Sequence, residues 1–150
     1  MSQDGRMELR SLGPGDNAEV MAASHLFDGM AEPQATARFL SDPDHHLLVA
    51  YEDSRPVGFV SGVEMTHPDK GTEMFLYELA VHEDYQRRGV GTALVNRLAQ
   101  VARSRGCYGM WVVTEESNEA ATATYGGTGG VSETNEVVFT WAFETDPETA

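Results

Sequence analysis

The residues with the clearest chemical potential form the run Gln86, Arg87, Arg88, Gly89, Val90, Gly91, Thr92 and Ala93. Gly89 and Gly91 permit a tight turn and leave the backbone open to close approach by a ligand. Upstream, Phe75, Tyr77, Leu79 and Val81 recur at every second position, the period of a strand. Downstream, Val90, Leu94, Leu98 and Val101 recur every third or fourth position, as on one face of a helix. A turn between the two gathers the free N–H groups of the first helical turn at one spot, where the helix dipole favours an anion. Strand, basic glycine turn and helix together make a seat for a phosphate or pyrophosphate. Neither Gly-x-x-x-x-Gly-Lys-Ser/Thr nor Gly-x-Gly-x-x-Gly occurs, which argues against a P-loop and against the dinucleotide fingerprint. Taken alone, a glycine pair at a loop-to-helix junction is more often a cap.

The turn Gln-x-x-Gly-x-Gly, after a strand ending Leu79-Ala80-Val81, resembles the acetyl-CoA signature of the GCN5-related N-acetyltransferases, the GNAT superfamily. The resemblance implies that backbone groups of Arg87, Arg88, Gly89, Val90, Gly91 and Thr92, next to Gln86, hold the CoA pyrophosphate. It implies that the preceding strand (Leu79, Ala80, Val81) pairs with the pantetheine arm, through Leu79 and Val81. A second segment, Asn118-x-x-Ala121-x-x-x-Tyr125, resembles the family's other CoA element. These three positions share one face of a helix. Ala121 is small enough to let the arm pass, and Tyr125 places a phenol near the thioester sulfur. Individually, Asn118 reads as a helix cap and Tyr125 as a buried aromatic. Two segments in the right order with a strand between them favour the family reading. Acetyl-CoA is therefore the expected cofactor, and no metal is expected.

Acetyl transfer to an amine needs a neutral amine, a fixed thioester, a stabilised oxyanion and a proton for the departing thiolate. Glu78 is the candidate base, because the family commonly carries an acidic residue on this strand. A surface glutamate without a role is the competing reading. Tyr125 is the candidate general acid, and a backbone N–H near 79–81 the candidate oxyanion donor. Several segments are similar to the type I aminoglycoside 3-N-acetyltransferases: the strand 75–81 with its acidic Glu78, the early Leu26-Phe27-Asp28, and the acidic Asp-Pro tail 143–150. That resemblance implies a polycationic substrate bound by Tyr77 and Glu78, with Asp28, Glu32, Glu115, Glu116, Glu144 and Asp146 as clamps. It also implies a homodimer. The other readings are another amine acceptor (a polyamine, an amino acid, a protein N-terminus or lysine) or a non-catalytic acyl-CoA-binding module. The chain departs from the family in Thr128 and Gly130, where bulky apolar residues are usual. The helix is therefore expected to stop at Tyr125, before a flexible glycine loop.

Charge agrees with a cationic acceptor. The 150 residues include 24 acidic and 10 basic side chains, a net charge of −14. Such a chain repels nucleic acid and anionic membranes and attracts polycations. Acidity that serves only solubility is the plain alternative. Hydrophobic content is 41%, ordinary for a globular chain. No apolar run approaches the roughly 20 residues of a membrane helix. Residues 1–5 lack a basic region followed by an apolar core, so a cytoplasmic location is expected. The single cysteine, Cys107, reads as a small buried hydrophobe.

The expected elements form one domain over 1–150: a strand at 7–12, a helix from Asp16 to about Phe27, and a helix at 33–40. Strands follow at 46–51, 56–63 and 72–81. A helix then runs from Gly89 to near Gly106, followed by a strand at 108–114, a helix at 118–125 and a final strand at 136–143. The fold class is α/β (α+β). The GNAT fold that the resemblance implies is one mixed, mostly antiparallel central sheet, splayed where the strands before the two CoA helices run parallel.

Overall fold

The sheet carries apolar side chains on both faces, so helices must cover both. Residues 7–143 are described, in a computed structural model. Five strands lie side by side in chain order: β1 (Met7–Leu12), β2 (His45–Glu52), β3 (Arg55–His67), β4 (Gly71–Val81) and β5 (Met110–Trp111). The first three pairings are antiparallel and β4–β5 is parallel. Helix α3 (Val90–Ser104) covers one face, burying Val90, Leu94, Val95, Leu98 and Ala102 against Leu48, Ala50 and Val60. Helices α1 (Asn17–Ala22) and α2 (Pro33–Ser41) cover the other, over Leu47, Val49, Tyr51 and Phe59. Helix α4 (Glu119–Gly127) packs beside α3.

Helix α3 lies close on the sheet because β3 offers it glycines. A Cβ at Gly58 would sit 3.0 Å from Val90 Cγ1 and 3.1 Å from the Ala80 carbonyl oxygen. One at Gly62 would sit 2.9 Å from Met74 Sδ and 3.0 Å from both Leu98 methyls.

The pairing of β3 with β4 contains a β-bulge. Ser61 faces Glu78 and Gly62 faces Leu76, leaving Tyr77 without a partner. One extra residue inverts the pleat. Before it, Met74 and Leu76 are buried under α3; after it, Leu79 and Val81 pack on that same cluster. The expected unbroken alternation from Phe75 to Val81 is thereby corrected. Tyr77 is 63% exposed, and Phe75 stacks on Trp111 with ring centres 4.4 Å apart.

Other expectations shift at their ends. Helix α1 stops at Ala22, and a 3-10 turn, Ser24–Leu26, completes the run to Phe27. The strand expected at 108–114 shrinks to β5, because its pairing lasts only from Met74/Met110 to Phe75/Trp111. The final strand expected at 136–143 is not formed: 131–143 carry neither helix nor strand, and among the described residues no strand pairs with them. Cys107 is half-buried, and burial raises its thiol pKa, consistent with a packing role.

The end of the sheet far from the glycine turn is fixed by charge. Glu64, 6% exposed at its side chain, lies 2.6 Å from His46 Nε2 and 2.6 Å from Arg105 Nε, just past α3. Burial alone would raise its pKa, but the bonds to Arg105 and His46 outweigh it and hold the carboxyl below its usual range. A depressed carboxyl contributes stability at neutral pH that is lost as pH falls through its folded-state pKa. Glu64→Gln is expected to lower stability at pH 7 by about 1–3 kcal/mol. It should also flatten the fall of Tm below about pH 4.3, the ordinary carboxylate value. Thermal unfolding of both proteins across pH 3–7 checks this.

Candidate active site

The parallel pair β4–β5 separates after Phe75 and Trp111, leaving the 76–81 edge of β4 without a strand partner among the described residues. The direction of its backbone groups follows from the ladder. The N–H of His82 donates to Val57 on β3, so the alternate residues Val81 and Leu79 direct their N–H and C=O away from β3, into the gap. Before the bulge the even residues do so instead: Met74 N–H donates to the Gly109 carbonyl at the start of β5. The Val81 carbonyl already accepts the Gln86 side-chain amide at 3.0 Å. Gln86 thus ties the turn to the strand, a role its spacing did not reveal.

Above the gap stands the start of α3. Arg87 (φ 64) and Gly89 (φ 84) are both left-handed, which brings successive N–H groups onto one concave side. Ala93 N–H is bonded to the Gly89 carbonyl at 3.0 Å, whereas those of Val90, Gly91 and Thr92 have no backbone acceptor among the described residues. Thr92, Arg87 and Arg88 are exposed, and Arg88 lies 3.5 Å from Glu52. These groups fit a pyrophosphate: free N–H donors, a helix dipole and two guanidinium side chains beside them. At Gly91 a Cβ would stand 3.7 Å from both Thr124 Cγ2 and Val81 Cγ2, ordinary contact, so packing does not require glycine there.

Glu78 points the other way. Its partner across the ladder is Ser61, whose Oγ donates to it at 3.3 Å. With Ser61, Val20, Phe27, Ala31, Phe39 and Phe59 it lines a cavity of about 190 Å³ between the sheet and α1–α2. Burial raises the Glu78 pKa, the Asp28 charge adds to this, and the Ser61 bond opposes it.

Tyr125, half-buried, packs against the α3-side core cluster on which Leu79 and Val81 also pack. Burial raises its pKa. Asn118 is the N-cap of α4, its side chain accepting from Ala121 N–H at 3.1 Å; the cap reading of the sequence is correct. The expected stop at Tyr125 is not: α4 runs to Gly127. Thr128 Oγ1 donates to the Thr124 and Tyr125 carbonyls at 2.9 and 3.0 Å, and Gly130 N–H donates to the Tyr125 carbonyl at 2.9 Å. A Cβ at Gly130 would lie 2.9 Å from that same oxygen. The two residues that depart from the family pattern thus anchor the backbone of Tyr125.

The acidic candidates scatter. Asp28 is exposed and near enough to act on Glu78. Glu32 caps α2, accepting from Gln34 and Ala35 N–H at 3.2 and 2.7 Å. Glu115 and Glu116 are exposed in the loop before α4. Glu144 and Asp146 lie outside the described residues. Ser61 was not singled out from sequence, and Thr128 and Gly130 stood out only as departures from the family pattern, because nothing in their spacing indicates which atoms they meet.

The profile of the Acetyltransferase (GNAT) family matches residues 18–129. The chain belongs to that family, whose members act with acetyl-CoA. It is 42% identical over 53 residues to the [ribosomal protein bS18]-alanine N-acetyltransferase of Escherichia coli (strain K12); the match covers 35% of this chain and 36% of that protein. The chain thus spans about a third of the curated relatives it matches. Among solved structures, an aminoglycoside acetyltransferase from an uncultured soil metagenomic sample, in complex with sisomicin, has TM-score 0.84 at 18% identity, covering 92% of this chain and 97% of that one. Aminoglycoside N-acetyltransferase AAC(6')-Iy in complex with CoA gives 0.77 at 18%, covering 95% and 98%. These likenesses establish the shared fold.

Gly91→Ala tests whether the open space at the start of α3 serves a ligand. The added methyl fits the protein, so Tm is expected to change by no more than about 2 °C. The KM for acetyl-CoA is expected to rise at least about tenfold, as steric exclusion of a close backbone approach requires. Steady-state kinetics and calorimetry on the same preparations check both.

Proposed function

We propose that the protein is an N-acetyltransferase that uses acetyl-CoA to acetylate an amine of a cationic small molecule, namely the 3-amino group of an aminoglycoside. The observation that carries the reading is the half-buried Glu78, facing a cavity on one side of the sheet beside the open edge of β4. When bound, acetyl-CoA supplies the thioester. Glu78 takes the ammonium proton, directly or through water, and its raised pKa makes it a stronger base. The Leu79 N–H, directed into the gap, stabilises negative charge on the carbonyl oxygen. Tyr125, kept protonated by burial, holds the proton for the departing sulfur at Oη. Asp28 gives the acceptor a second negative charge. The net charge of −14 supports a polycation, as does the fold shared with an acetyltransferase in complex with sisomicin.

A second reading rests on the cavity. Its walls are largely apolar, with Glu78, Ser61 and Thr36 as the polar exceptions. An amine on a small apolar body, such as a protein N-terminus beginning with alanine, suits that lining, and the relative that acetylates a ribosomal-protein alanine points the same way. CoA release with gentamicin, kanamycin, spermidine and an alanine-initiated peptide separates the readings. Turnover with gentamicin and a 3-N-acetyl product by NMR supports the first, and turnover with the peptide alone supports the second. CoA binding without turnover on any acceptor favours a non-catalytic module.

Two variants test the roles. Glu78→Gln is expected to lower kcat/KM by about 10²–10⁴-fold. The wild-type rate should fall as pH drops through the raised Glu78 pKa, above the ordinary carboxylate value of about 4.3, and this limb should vanish in the variant. Tyr125→Phe is expected to lower kcat at least about tenfold with little change in the KM for acetyl-CoA. An unchanged kcat removes Tyr125 from the acid role.

A further inference from the structure

The phenol of Tyr125 stands on a helix that packing alone holds weakly. Helix α4 reads Glu-Ala-Ala-Thr-Ala-Thr-Tyr-Gly-Gly, with Tyr125 its one large apolar side chain and none of its residues fully buried. Gly126 and Gly127, the two residues after the tyrosine, are among the poorest helix formers. Neither propensity nor burial explains why the helix continues past Tyr125.

The helix end does. Thr128 is the C-cap and Gly129 is left-handed (φ 103). Gly130 N–H donates to the Tyr125 carbonyl at 2.9 Å, and Gly129 N–H to the Gly126 carbonyl at 3.1 Å. This pair of bonds is a Schellman motif, with Tyr125 three residues before the cap. Such motifs commonly add an apolar contact between that residue and the second one past the cap. Here the second one is Gly130, which has no side chain to make it, and a Cβ there would lie 2.9 Å from the Tyr125 carbonyl oxygen. The hydroxyl of Thr128, half-buried, supplies a polar contact instead. It shares its proton between the Thr124 and Tyr125 carbonyls, at 2.9 and 3.0 Å. Thr124 in turn borders the start of α3: its Cγ2 is 3.7 Å from a Cβ placed at Gly91. The turn that Thr128 grips is thus the one that adjoins the candidate cofactor seat.

We propose that Thr128 is a positioning residue for acetyl transfer: its hydroxyl fixes the last turn of α4 and, through that turn, the place of the Tyr125 phenol. The proposal rests on the reading of Tyr125 as the proton donor to the departing sulfur. Tyr125 Oη is at the far end of its side chain, so a small rotation of the turn moves it most. Proton transfer tolerates little displacement of the donor. The chain holds its phenol by hydrogen bonds to the backbone beneath it, where an apolar contact would otherwise serve.

Thr128→Val keeps the shape and the β-branch and removes only the donor. Each carbonyl retains a backbone partner, Thr124 from Thr128 N–H and Tyr125 from Gly130 N–H, so the fold survives. Tm is expected to fall by no more than about 4 °C. The test is steady-state kinetics of the wild type, Thr128→Val, Thr128→Ser, Tyr125→Phe and the double variant Thr128→Val/Tyr125→Phe. The acceptor is whichever of gentamicin, kanamycin, spermidine and the alanine-initiated peptide turns over fastest. Thr128→Val is expected to lower kcat at least about fivefold, with the KM for acetyl-CoA within about twofold of wild type. Thr128→Ser, which restores the hydroxyl, is expected to keep at least about half of the wild-type kcat. The double variant is expected to be no slower than Tyr125→Phe alone, because a phenol hydroxyl that is gone cannot be misplaced. A wild-type kcat in Thr128→Val beside a slow Tyr125→Phe overturns the proposal and leaves the acid role standing. A wild-type kcat in Tyr125→Phe, or no turnover on any acceptor, overturns both. Losses that add in the double variant, or a Thr128→Ser as slow as Thr128→Val, overturn the proposal alone, since Thr128 then acts through something other than Tyr125 or by other means than its hydroxyl.

Discussion

The single unpaired residue at Tyr77 is the constraint from which the candidate site follows. A regular strand presents the same parity to the same face throughout, so Glu78 would lie with Met74 and Leu76, under α3, and a carboxylate there would be buried without a partner. The bulge inverts both faces and both edges of β4 within one residue. The first half of the strand can then bond to β5 through Met74, while the second half opens its Leu79 and Val81 backbone to the gap. It also swings Glu78 across to Ser61 and the cavity beneath α1 and α2. One insertion therefore separates a backbone surface, suited to an extended polar arm, from a carboxylate surface, suited to an amine.

Around that strand, local contacts hold the pieces in register. Gln86 pins the turn to Val81, Glu64 with Arg105 and His46 secures the far end of α3, and Thr128 and Gly130 grip the carbonyl of Tyr125. None is a large energy on its own, since a typical hydrogen bond contributes about 1 kcal/mol net. Their value is positional: they set where a helix start, a carboxylate and a phenol stand relative to one gap.

The β4–turn–α3 unit was legible because the glycine turn and the helical period are local properties. Asn118 as a cap was legible for the same reason. The bulge was not, because Phe75, Tyr77, Leu79 and Val81 form an unbroken alternation, and only the partner strand reveals that one member is skipped. The strand at 108–114 was overextended because a β-type run does not state how long its neighbour stays beside it. Residues 136–143 carry a strand-like alternation but form no strand, because such a pattern specifies a capacity to pair and not a partner. Glu32 illustrates the ambiguity of acidic residues: its carboxylate serves two N–H groups of its own helix, and charge alone could not distinguish that from a substrate contact.

The two glycines beneath α3 have a mechanical meaning. Gly58 touches Val90, the first residue of the helix, and the carbonyl of Ala80 in β4 at once. The height of the helix start above the sheet is thus set by hydrogen atoms, the thinnest spacer a protein chain can provide. A methyl group inserted at that point would act as a shim under one end of a lever. It would lift the free N–H groups and widen the mouth of the gap together, from a position that no bound molecule need ever touch.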